Sequence, residues 1–561
     1  MLPATRRRLG AVTASAALAL GMTAILPVSP SEATASPQTG SPRTGPPLTA
    51  PVVTAQVDAQ IPVLDWSRCE SGARALCATA EVPLDYDDPT GPTILLDLLK
   101  VPALDSDHKL GTLFVNPGGP GGSATGFAPY AADLLGDTVA LDYDVIGIDP
   151  RGVGEHSQMV CTAADDPPNQ SVGFPITEQQ SKQVWRAGRW IRNACVSAPE
   201  QIVQHMSTAD TARDMDLIRQ AVGEDELDYY GISYGTFLGA TYAAMFPDRV
   251  GRFVVDGVLD PVNWSTGDAG NADLPFTTRI ASARGAYESL TSGLTECDRV
   301  GKRSCAFAGG AESKWRWLVR KAKAGKLRAY GGNVSYSDLV GGTLGMLYDN
   351  ISYDWLGSAL ADLYRRAHKH TAKAGGVSAA EWHRIATRVT RAPYALAGAG
   401  FEINDAFHGV SCADTSNPTT RQDWWDAGRH QDRDYPWFGS LWTWESAACA
   451  KWPAAAQEDS FRGPYDVTTA NPILVVGNSH DPATPVQGAR RFTTLFEGSR
   501  FLLMDGWGHG AIGNTCVTAA FDDYYASGTL PREGTVCEKD YPLYGGYFKA
   551  RGLPSWRPQA G

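Results

Sequence analysis

Short runs of apolar residues recur along the chain, and stretches with helical periodicity separate them. The runs lie at residues 94–101, 112–115, 144–148, 227–230, 253–258, 473–476 and 501–504. Strands made of continuous Val, Ile, Leu and Phe that alternate with helices indicate a parallel sheet covered on both faces. The sequence therefore predicts a doubly wound, mostly parallel α/β fold.

The strand rhythm stops between residues 261 and 471. This stretch is mostly helical in pattern, and Gly and Pro residues break it. Because the strand pattern resumes at residue 473, we expect one α/β domain that is interrupted by a large helical cap insertion. We place the α/β domain at 63–262 and 471–561 and the cap at 263–470.

The first 35 residues have the three parts of a secretory signal peptide. Three arginines at 6–8 precede an apolar run at 9–27, and the small residues at 33–35 offer a cleavage site. A membrane anchor is the alternative, but polar residues interrupt the run and no stop-transfer charges follow it. Residues 36–62 are rich in Pro, Thr, Ser and Ala, which predicts a disordered leader or pro-segment. We therefore expect an exported, extracellular protein.

Composition and charge limit the partners of the mature chain. The formal charge is −12, and removal of residues 1–35 with their three arginines and one glutamate leaves −14. An acidic protein is not attracted to nucleic acid or to an anionic membrane surface. Beyond the signal segment, no apolar run in the sequence is long enough to span a bilayer, so we expect no stable membrane association.

The ten cysteines of an exported chain indicate disulfide bonds. Short loops close readily, which favours bonds between neighbours along the sequence. The predicted pairs are Cys69 with Cys77, Cys161 with Cys195, Cys297 with Cys305, Cys412 with Cys449, and Cys516 with Cys537. A zinc site is the competing interpretation, but the chain has no C-x-x-C motif, and only His408 lies near ligand spacing from a cysteine. We therefore predict no metal.

The most informative motif is Gly-Ile-Ser-Tyr-Gly at residues 231–235. It follows the predicted strand at 227–230 and precedes a helical segment at 236–245. At such a strand-to-helix turn the central serine adopts a strained backbone, and the glycines let strand and helix approach closely. An ordinary glycine-rich turn is the alternative. The position of the motif predicts that Ser233 is a nucleophile.

A serine hydroxyl needs a base, and the base needs an acid that orients it. On this type of sheet both partners follow the nucleophile, the acid before the histidine, at the ends of later strands. Asp481 and His509 each follow a predicted strand in that order. Asp405 and Asp414 are rivals for the acid, but both precede the point where the sheet resumes. We predict a catalytic triad of Ser233, Asp481 and His509.

A glycine-rich loop, Asn-Pro-Gly-Gly-Pro-Gly-Gly-Ser at residues 116–123, follows the predicted strand at 112–115. Glycines let backbone N–H groups point at a reacting carbonyl without obstruction, as an oxyanion hole requires. We predict the N–H groups of Gly119 and Tyr234 as its donors. A phosphate loop is the alternative, but the Lys and Ser/Thr of the P-loop motif are missing. We therefore expect no cofactor.

Taken together, these motifs resemble a known family. The segment at 117–121 resembles the HGGPG loop of prolyl iminopeptidases, with Pro117 where they carry histidine. The whole motif set is similar to the secreted tripeptidyl aminopeptidases of actinomycetes, from about residue 66 to the C-terminus. The further segments that carry this resemblance lie at 149–152, 231–235, 256–261, 411–414, 481–485 and 508–510. It implies an α/β-hydrolase fold, the same triad, and release of tripeptides or similar short units from peptides with a free N-terminus.

Cleavage at a fixed distance from a free N-terminus requires a wall that closes one end of the substrate site and a negative group that binds the ammonium. Related prolyl iminopeptidases are thought to use acidic residues of the cap. By this resemblance the candidates are Glu402, Asp405 and Asp414 in the cap and Asp260 at a strand end. A solvated or structural role is the alternative for each of them.

Two other classes of function remain open. A secreted carboxylesterase or a prolyl iminopeptidase-like hydrolase would use the same triad on a different substrate. A binding protein without catalytic activity is disfavoured because the serine, the histidine, the acid and the glycine loop are all intact.

Overall fold

The structure is a computed structural model. It describes residues 57–69, 74–163, 165, 168, 172–196, 201–369, 377–389, 394–397 and 400–545. The predicted signal peptide at 1–35 and the predicted leader as far as residue 56 lie outside the described residues. Within the described part of the chain, no helix is both long enough and apolar enough to cross a membrane.

Strands and helices alternate through most of the described chain. The strands are β1 (Ser67–Arg68), β2 (Leu76–Pro83), β3 (Thr93–Val101), β4 (Gly111–Asn116), β5 (Tyr143–Ile148), β6 (Val160–Ala163), β7 (Leu227–Ile232), β8 (Val250–Asp256), β9 (Arg328–Ala329), β10 (Gly332–Asn333), β11 (Tyr394–Ala397), β12 (Gly400–Asn404), β13 (Val467–Thr468), β14 (Leu474–His480), β15 (Phe496–Glu497), β16 (Arg500–Trp507) and β17 (Val536–Glu538). The helices are α1 (Ala124–Leu134), α2 (Asp137–Asp142), α3 (Glu178–Val196), α4 (Thr208–Ala221), α5 (Tyr234–Met245), α6 (Pro261–Ser265), α7 (Phe276–Arg279), α8 (Ser282–Val300), α9 (Ala311–Lys323), α10 (Tyr336–Leu347), α11 (Ser352–Lys369), α12 (Ala379–Val389), α13 (Ala406–Asp414), α14 (Arg421–Asp434), α15 (Gly439–Glu445), α16 (Val486–Leu495) and α17 (Thr515–Ser527).

The main sheet has the strand order β1-β2-β3-β5-β4-β7-β8-β14-β16-β17. Neighbours from β5 to β17 run parallel, whereas β2 and β3 form an antiparallel edge. All seven predicted apolar runs are strands of this sheet, which confirms the mostly parallel α/β fold. Since parallel strands end at the same edge, the loops that follow β4, β7, β8, β14 and β16 meet there.

Both faces of the sheet are covered by helices, as the continuous apolar strands predict. On β8 the side chains of Phe253 and Val255 enter one buried core, which includes residues of α4 and α5. The side chain of Val254 between them enters a second core, which includes residues of α1 and α17. This alternation places helices on both sides and identifies the fold as doubly wound.

Between β8 and β14 the chain forms the helices α6 to α15. The helices α8 to α12 and α15 contribute to a separate buried core. Trp315 and Trp382 are fully buried in that core, and Leu543 and Tyr544 near the C-terminus pack into it as well. The prediction of a mostly helical region overlooked β11 and β12. The strand β12 pairs with β6, and the pairing depends on a distant partner strand that no local pattern reveals.

Five disulfides join the cysteine pairs that the order of the chain predicts. They are Cys69–Cys77, Cys161–Cys195, Cys297–Cys305, Cys412–Cys449 and Cys516–Cys537. The second ties β6 to α3, and the fifth ties α17 to β17 at the edge of the sheet. Each bond restricts the unfolded chain, which stabilises the folded state.

A buried ion pair joins the antiparallel edge of the sheet to α4. The guanidinium of Arg151 is fully buried and contacts both carboxylate oxygens of Asp214, at 2.7 and 2.8 Å. It also donates to the backbone carbonyls of Pro83 and Leu84, each at 2.6 Å. A buried charge of this kind stabilises the fold only while its partners remain.

Arg151→Met leaves the Asp214 carboxylate in the interior without its cation. Removal of one member of a buried ion pair costs about 3–5 kcal/mol, and we expect a loss of this size in the free energy of unfolding, measured by urea denaturation. Arg316→Met is the matched control, because Arg316 pairs with Glu312 on the exposed surface of α9, where such pairs contribute only about 0–1 kcal/mol. Equal losses in the two variants would contradict the structural role of the buried pair.

Candidate active site

Ser233 occupies the sharp turn between β7 and α5. Its backbone has φ 61° and ψ −126°, a conformation that is strained for a residue with a side chain. The flanking glycines permit this turn, because a Cβ on Gly235 would lie 2.7 Å from the backbone oxygen of Asn116, and a Cβ on Gly231 would collide with the backbone of Gly235. The turn therefore presents the serine at the carboxyl edge of the sheet.

His509 and Asp481 meet at the same edge. Asp481 directly follows β14, and His509 lies two residues beyond β16. The Nδ1 atom of His509 lies 3.0 Å from each carboxylate oxygen of Asp481. Because this bond uses Nδ1, the Nε2 atom remains for proton exchange with a reacting group.

The Asp481 carboxylate is itself fixed by its own loop. It accepts hydrogen bonds from the backbone N–H groups of Ala483 and Thr484, both at 2.8 Å, and from the hydroxyl of Thr484 at 3.0 Å. The same hydroxyl lies 3.2 Å from Nδ1 of His509. Thr484 thus connects acid and base, and sequence analysis did not single it out.

The electrostatic surroundings favour a protonated His509. Burial lowers the pKa of this histidine, but the charge and hydrogen bond of Asp481, together with the charge of Asp256, raise it more. The net pKa therefore lies above the usual 6.5. A raised pKa strengthens the histidine as a base, as proton abstraction from a serine hydroxyl requires.

Contacts from two sides hold the His509 loop against the Ser233 turn. The backbone N–H of His509 donates to the carbonyl of Tyr348 in the cap at 2.9 Å, and the Tyr348 ring packs edge-on against the imidazole with 5.1 Å between ring centres. On the other side, a Cβ on Gly510 would collide with Ile232, the residue before Ser233. The loop therefore approaches the serine turn as closely as glycine allows.

The glycine-rich loop after β4 lies beside Ser233. Gly118 has φ 82° and donates to the side chain of Asn116 at 2.9 Å. A Cβ on Gly118 would lie 2.8 Å from both the backbone nitrogen of Tyr234 and the Cβ of Ser233. Gly119 lines the same cavity as Ser233 and Tyr234. The structure thus brings both predicted oxyanion donors to the serine.

A small cavity of about 70 Å³ opens beside Ser233. Its walls are mainly apolar and come from the sheet edge and the cap: Leu259, Trp264, Phe276, Ile280, Phe407 and Trp442. Among the described residues that line it, Glu445 at the end of α15 carries the only carboxylate. An apolar cavity with few polar groups is typical of a substrate site.

A buried pair in the cap anchors the backbone of Glu445. The Nδ1 atom of His408 lies 2.6 Å from the carboxylate of Asp405, and its Nε2 atom lies 3.2 Å from the carbonyl of Glu445. A carbonyl and an ionised carboxylate only accept hydrogen bonds, so these two contacts favour the cationic form of His408, in which both ring nitrogens carry protons. Burial opposes this charge, but the charges of Asp405 and Glu445 raise the pKa of His408 above its usual value.

The acids predicted to bind an amine lie elsewhere or have other partners. Asp260 caps α6 and pairs with Arg491 at 3.2 Å, whereas Asp405 holds His408 as described above. Asp414 is buried and accepts from the N–H and hydroxyl of Thr208, and burial raises its pKa to about 7. None of these three lines the cavity beside Ser233. The side chain of Glu402 lies outside the described residues.

One further group of side chains has the composition of a metal site. Asp85, His205 and Asp459 offer ligand atoms within 4.8 Å of one another, and none of them lines the cavity beside Ser233. The Asp459 carboxylate already has cationic neighbours, because His205, Arg213 and Arg151 lower its pKa. We assign no metal to this group.

Comparison with known proteins agrees with this architecture. The family model described as the alpha/beta hydrolase fold matches residues 111–273, and the model described as TAP-like protein matches residues 435–537. The first range contains the glycine loop and the serine turn, and the second contains the aspartate and histidine loops.

Three curated relatives cover most of the chain. The tripeptidyl aminopeptidase of Streptomyces lividans is 29% identical over 84% of this chain and 86% of its own length. The serine protease Hip1 of Mycobacterium tuberculosis is 27% identical over 84% of this chain and 91% of its own length. Carboxylesterase B of Mycobacterium tuberculosis is 30% identical over 82% of this chain and 86% of its own length. The chain therefore belongs to the tripeptidyl aminopeptidase-like family of α/β-hydrolases, and it is a serine hydrolase.

Proposed function

We propose that this protein is a secreted serine exopeptidase that releases tripeptides or similar short peptides from the free N-terminus of other peptides. The observation that carries the proposal is the cavity beside Ser233, whose described lining residues are mainly apolar and include one acidic residue, Glu445. The names of two relatives, a tripeptidyl aminopeptidase and a serine protease, support peptides as the substrate class.

The chemistry proposed for the site is acyl transfer by Ser233, His509 and Asp481. His509 takes the proton of the Ser233 hydroxyl through Nε2, and the oxygen attacks the scissile carbonyl. Asp481 holds the imidazole in the required tautomer and stabilises its charged form, as their 3.0 Å contact allows. His509 then protonates the departing amine, and water releases the short acyl fragment from the serine.

The negative oxygen of the tetrahedral intermediate requires donors that are already in place. In this proposal the N–H groups of Gly119 and Tyr234 supply them, because both residues line the cavity with Ser233. The Tyr234 N–H belongs to the first turn of α5, where the helix dipole adds a favourable field for an anion. Loss of one such donor typically costs about 3–4 kcal/mol of barrier.

Recognition of a free N-terminus is assigned in this proposal to Glu445 rather than to the acids that the sequence suggested. Glu445 lines the same cavity as Ser233, and the His408 ring contacts the Glu445 carbonyl at 3.2 Å. An ammonium held at one point of the cavity determines which carbonyl meets Ser233.

Export is part of the proposal and rests on two features of the chain. Residues 1–35 have the pattern of a signal peptide, and the ten cysteines form five disulfides. Disulfides of this kind persist in oxidising, extracellular environments.

A carboxylesterase is the second candidate function. Carboxylesterase B of Mycobacterium tuberculosis is 30% identical to this chain, and the same serine chemistry hydrolyses esters. An esterase has no need to recognise an ammonium, so the response to blocking the substrate amine distinguishes the two candidates.

The first prediction concerns Ser233 and a matched pair of substrates, Ala-Pro-Ala-p-nitroanilide with a free and with an acetylated N-terminus. We expect the wild type to release p-nitroaniline from the free form only, and Ser233→Ala to lose at least about 1,000-fold in kcat. Equal cleavage of both forms would contradict an exopeptidase. Cleavage of neither form, together with hydrolysis of simple esters, would favour the carboxylesterase.

The second prediction concerns Glu445→Gln, which keeps the shape of the side chain and removes its charge. Since a hydrogen bond to a charged group contributes about 1.5–3 kcal/mol, we expect kcat/KM on the free tripeptide substrate to fall about 10- to 100-fold. The control is Glu458→Gln, at an exposed cap position. A kcat/KM that stays the same in Glu445→Gln would contradict the assignment of the amine site.

The third prediction concerns the pH dependence of the wild type. His509 must be neutral to act as a base, and its pKa is raised, so kcat/KM should fall as the pH drops through a value above 6.5. The substrate ammonium loses its proton near pH 8, so activity on the free tripeptide substrate should also fall at alkaline pH. Hydrolysis of a neutral activated ester does not depend on an ammonium and should show only the fall at acidic pH. An acidic limb centred at 6.5 or below would contradict the raised pKa.

A further inference from the structure

A second buried carboxylate lies behind the proposed catalytic base. Asp256 is the last residue of β8, the strand between β7 and β14, and its side chain is fully buried. Its carboxylate accepts the N–H of Ala511 at 2.8 and 2.9 Å and the N–H of Ile512 at 3.0 Å. These two residues follow His509 in the same loop, so the carboxylate holds the loop that carries the base.

The backbone of Asp256 extends this connection to the nucleophile and the neighbouring strand. Its carbonyl accepts the N–H of Ser233 at 3.0 Å. The next residue, Gly257, donates to the carbonyl of Val476 in β14, the strand that leads to Asp481. One residue thus contacts the serine turn with its backbone and the histidine loop with its side chain.

The contacts of the carboxylate favour its ionised form. Two backbone N–H groups and the hydroxyl of Tyr230, at 2.9 Å, all donate to it. A protonated carboxyl would accept less well from the two N–H groups, which can only donate. Burial raises the pKa of Asp256 to about 6, although Ala511, Tyr230 and the charge of His509 oppose the shift. Among the described residues, the titratable groups that face it are Tyr230, His509 and Asp481.

We infer that Asp256 is a positioning residue for the catalytic base: its carboxylate fixes the loop after His509, and its negative charge joins Asp481 in stabilising the imidazolium. The inference rests on the proposed role of His509. The two acids have different tasks, because Asp481 bonds directly to Nδ1 whereas Asp256 acts through the backbone of the loop and through its charge. A carboxylate that only filled space would have no effect on the basicity of the histidine.

The test uses Asp256→Asn and a matched control. The control is Asp228→Asn, on the same sheet: Asp228 lies near the opposite end of β7, accepts a backbone N–H of Arg252, and burial raises its pKa to about 6 as well. The primary readout is the rate of labelling by a fluorophosphonate at a series of pH values. This rate reports the activation of Ser233 whichever substrate the enzyme uses, so failure of the exopeptidase proposal would not disturb the test.

For Asp256→Asn we expect the labelling rate to fall about 10- to 100-fold, a loss typical of a misplaced catalytic group. Its acidic limb should move to lower pH, because His509 loses a negative neighbour. KM for a substrate that the wild type cleaves should stay the same, because Asp256 does not line the cavity. Asp228→Asn should leave both the rate and the pH profile of the folded enzyme unchanged.

Tyr230→Phe keeps the test decisive if Asp256→Asn does not fold. This variant removes one donor and leaves the carboxylate, so the pKa of Asp256 rises. The ionised carboxylate, on which the position of His509 depends, is then lost at a higher pH, and the acidic limb should move to higher pH, opposite to the shift in Asp256→Asn. Opposite shifts in the two variants, or the upward shift alone in Tyr230→Phe, would support the inference. An unchanged pH profile in a folded variant, or the same loss of rate in Asp228→Asn, would overturn it.

Discussion

The parallel alignment of β7, β8, β14 and β16 is the constraint on which the site depends. Because these strands are neighbours and end at one edge, the residues that follow them must meet. Ser233 follows β7, Asp256 ends β8, Asp481 follows β14 and His509 follows β16. Hydrogen bonds then connect the four loops, so an error in the register of one strand would displace Ser233, His509 or Asp481.

The cap completes the site from above the edge of the sheet. It provides the carbonyl of Tyr348 for the histidine loop and most of the apolar wall around Ser233. Its polar groups are mostly paired within the fold, as burial requires: Asp414 binds Thr208, and Asp405 binds His408. Glu445 differs from these two acids because it lines the cavity, and this difference supports its proposed role at the substrate amine.

The sequence was sufficient to predict those parts of the molecule that depend on the local pattern of residues. Continuous apolar runs predicted seven strands of the sheet, and the residues around Ser233 and the order of acid and histidine predicted the loops that meet at its edge.

The pairing of β12 with β6 and the place of Glu445 depend on contacts between distant segments. The amine-binding acids were chosen from the cap by resemblance, and the sequence could not show that Asp405 and Asp414 have buried partners. Asp256 was part of a recognised motif, but its contact with the loop after His509 spans 255 residues of sequence.

The most direct test of the central claim is mass spectrometry of the products from a ten-residue peptide with a free N-terminus. If Ser233 attacks at a distance set by recognition of the N-terminal ammonium, the wild type should release a tripeptide first and leave a seven-residue remainder. Later products should appear in order along the chain, and acetylation of the N-terminus should suppress them. Internal fragments that appear first, or equal cleavage of the acetylated peptide, would contradict the account.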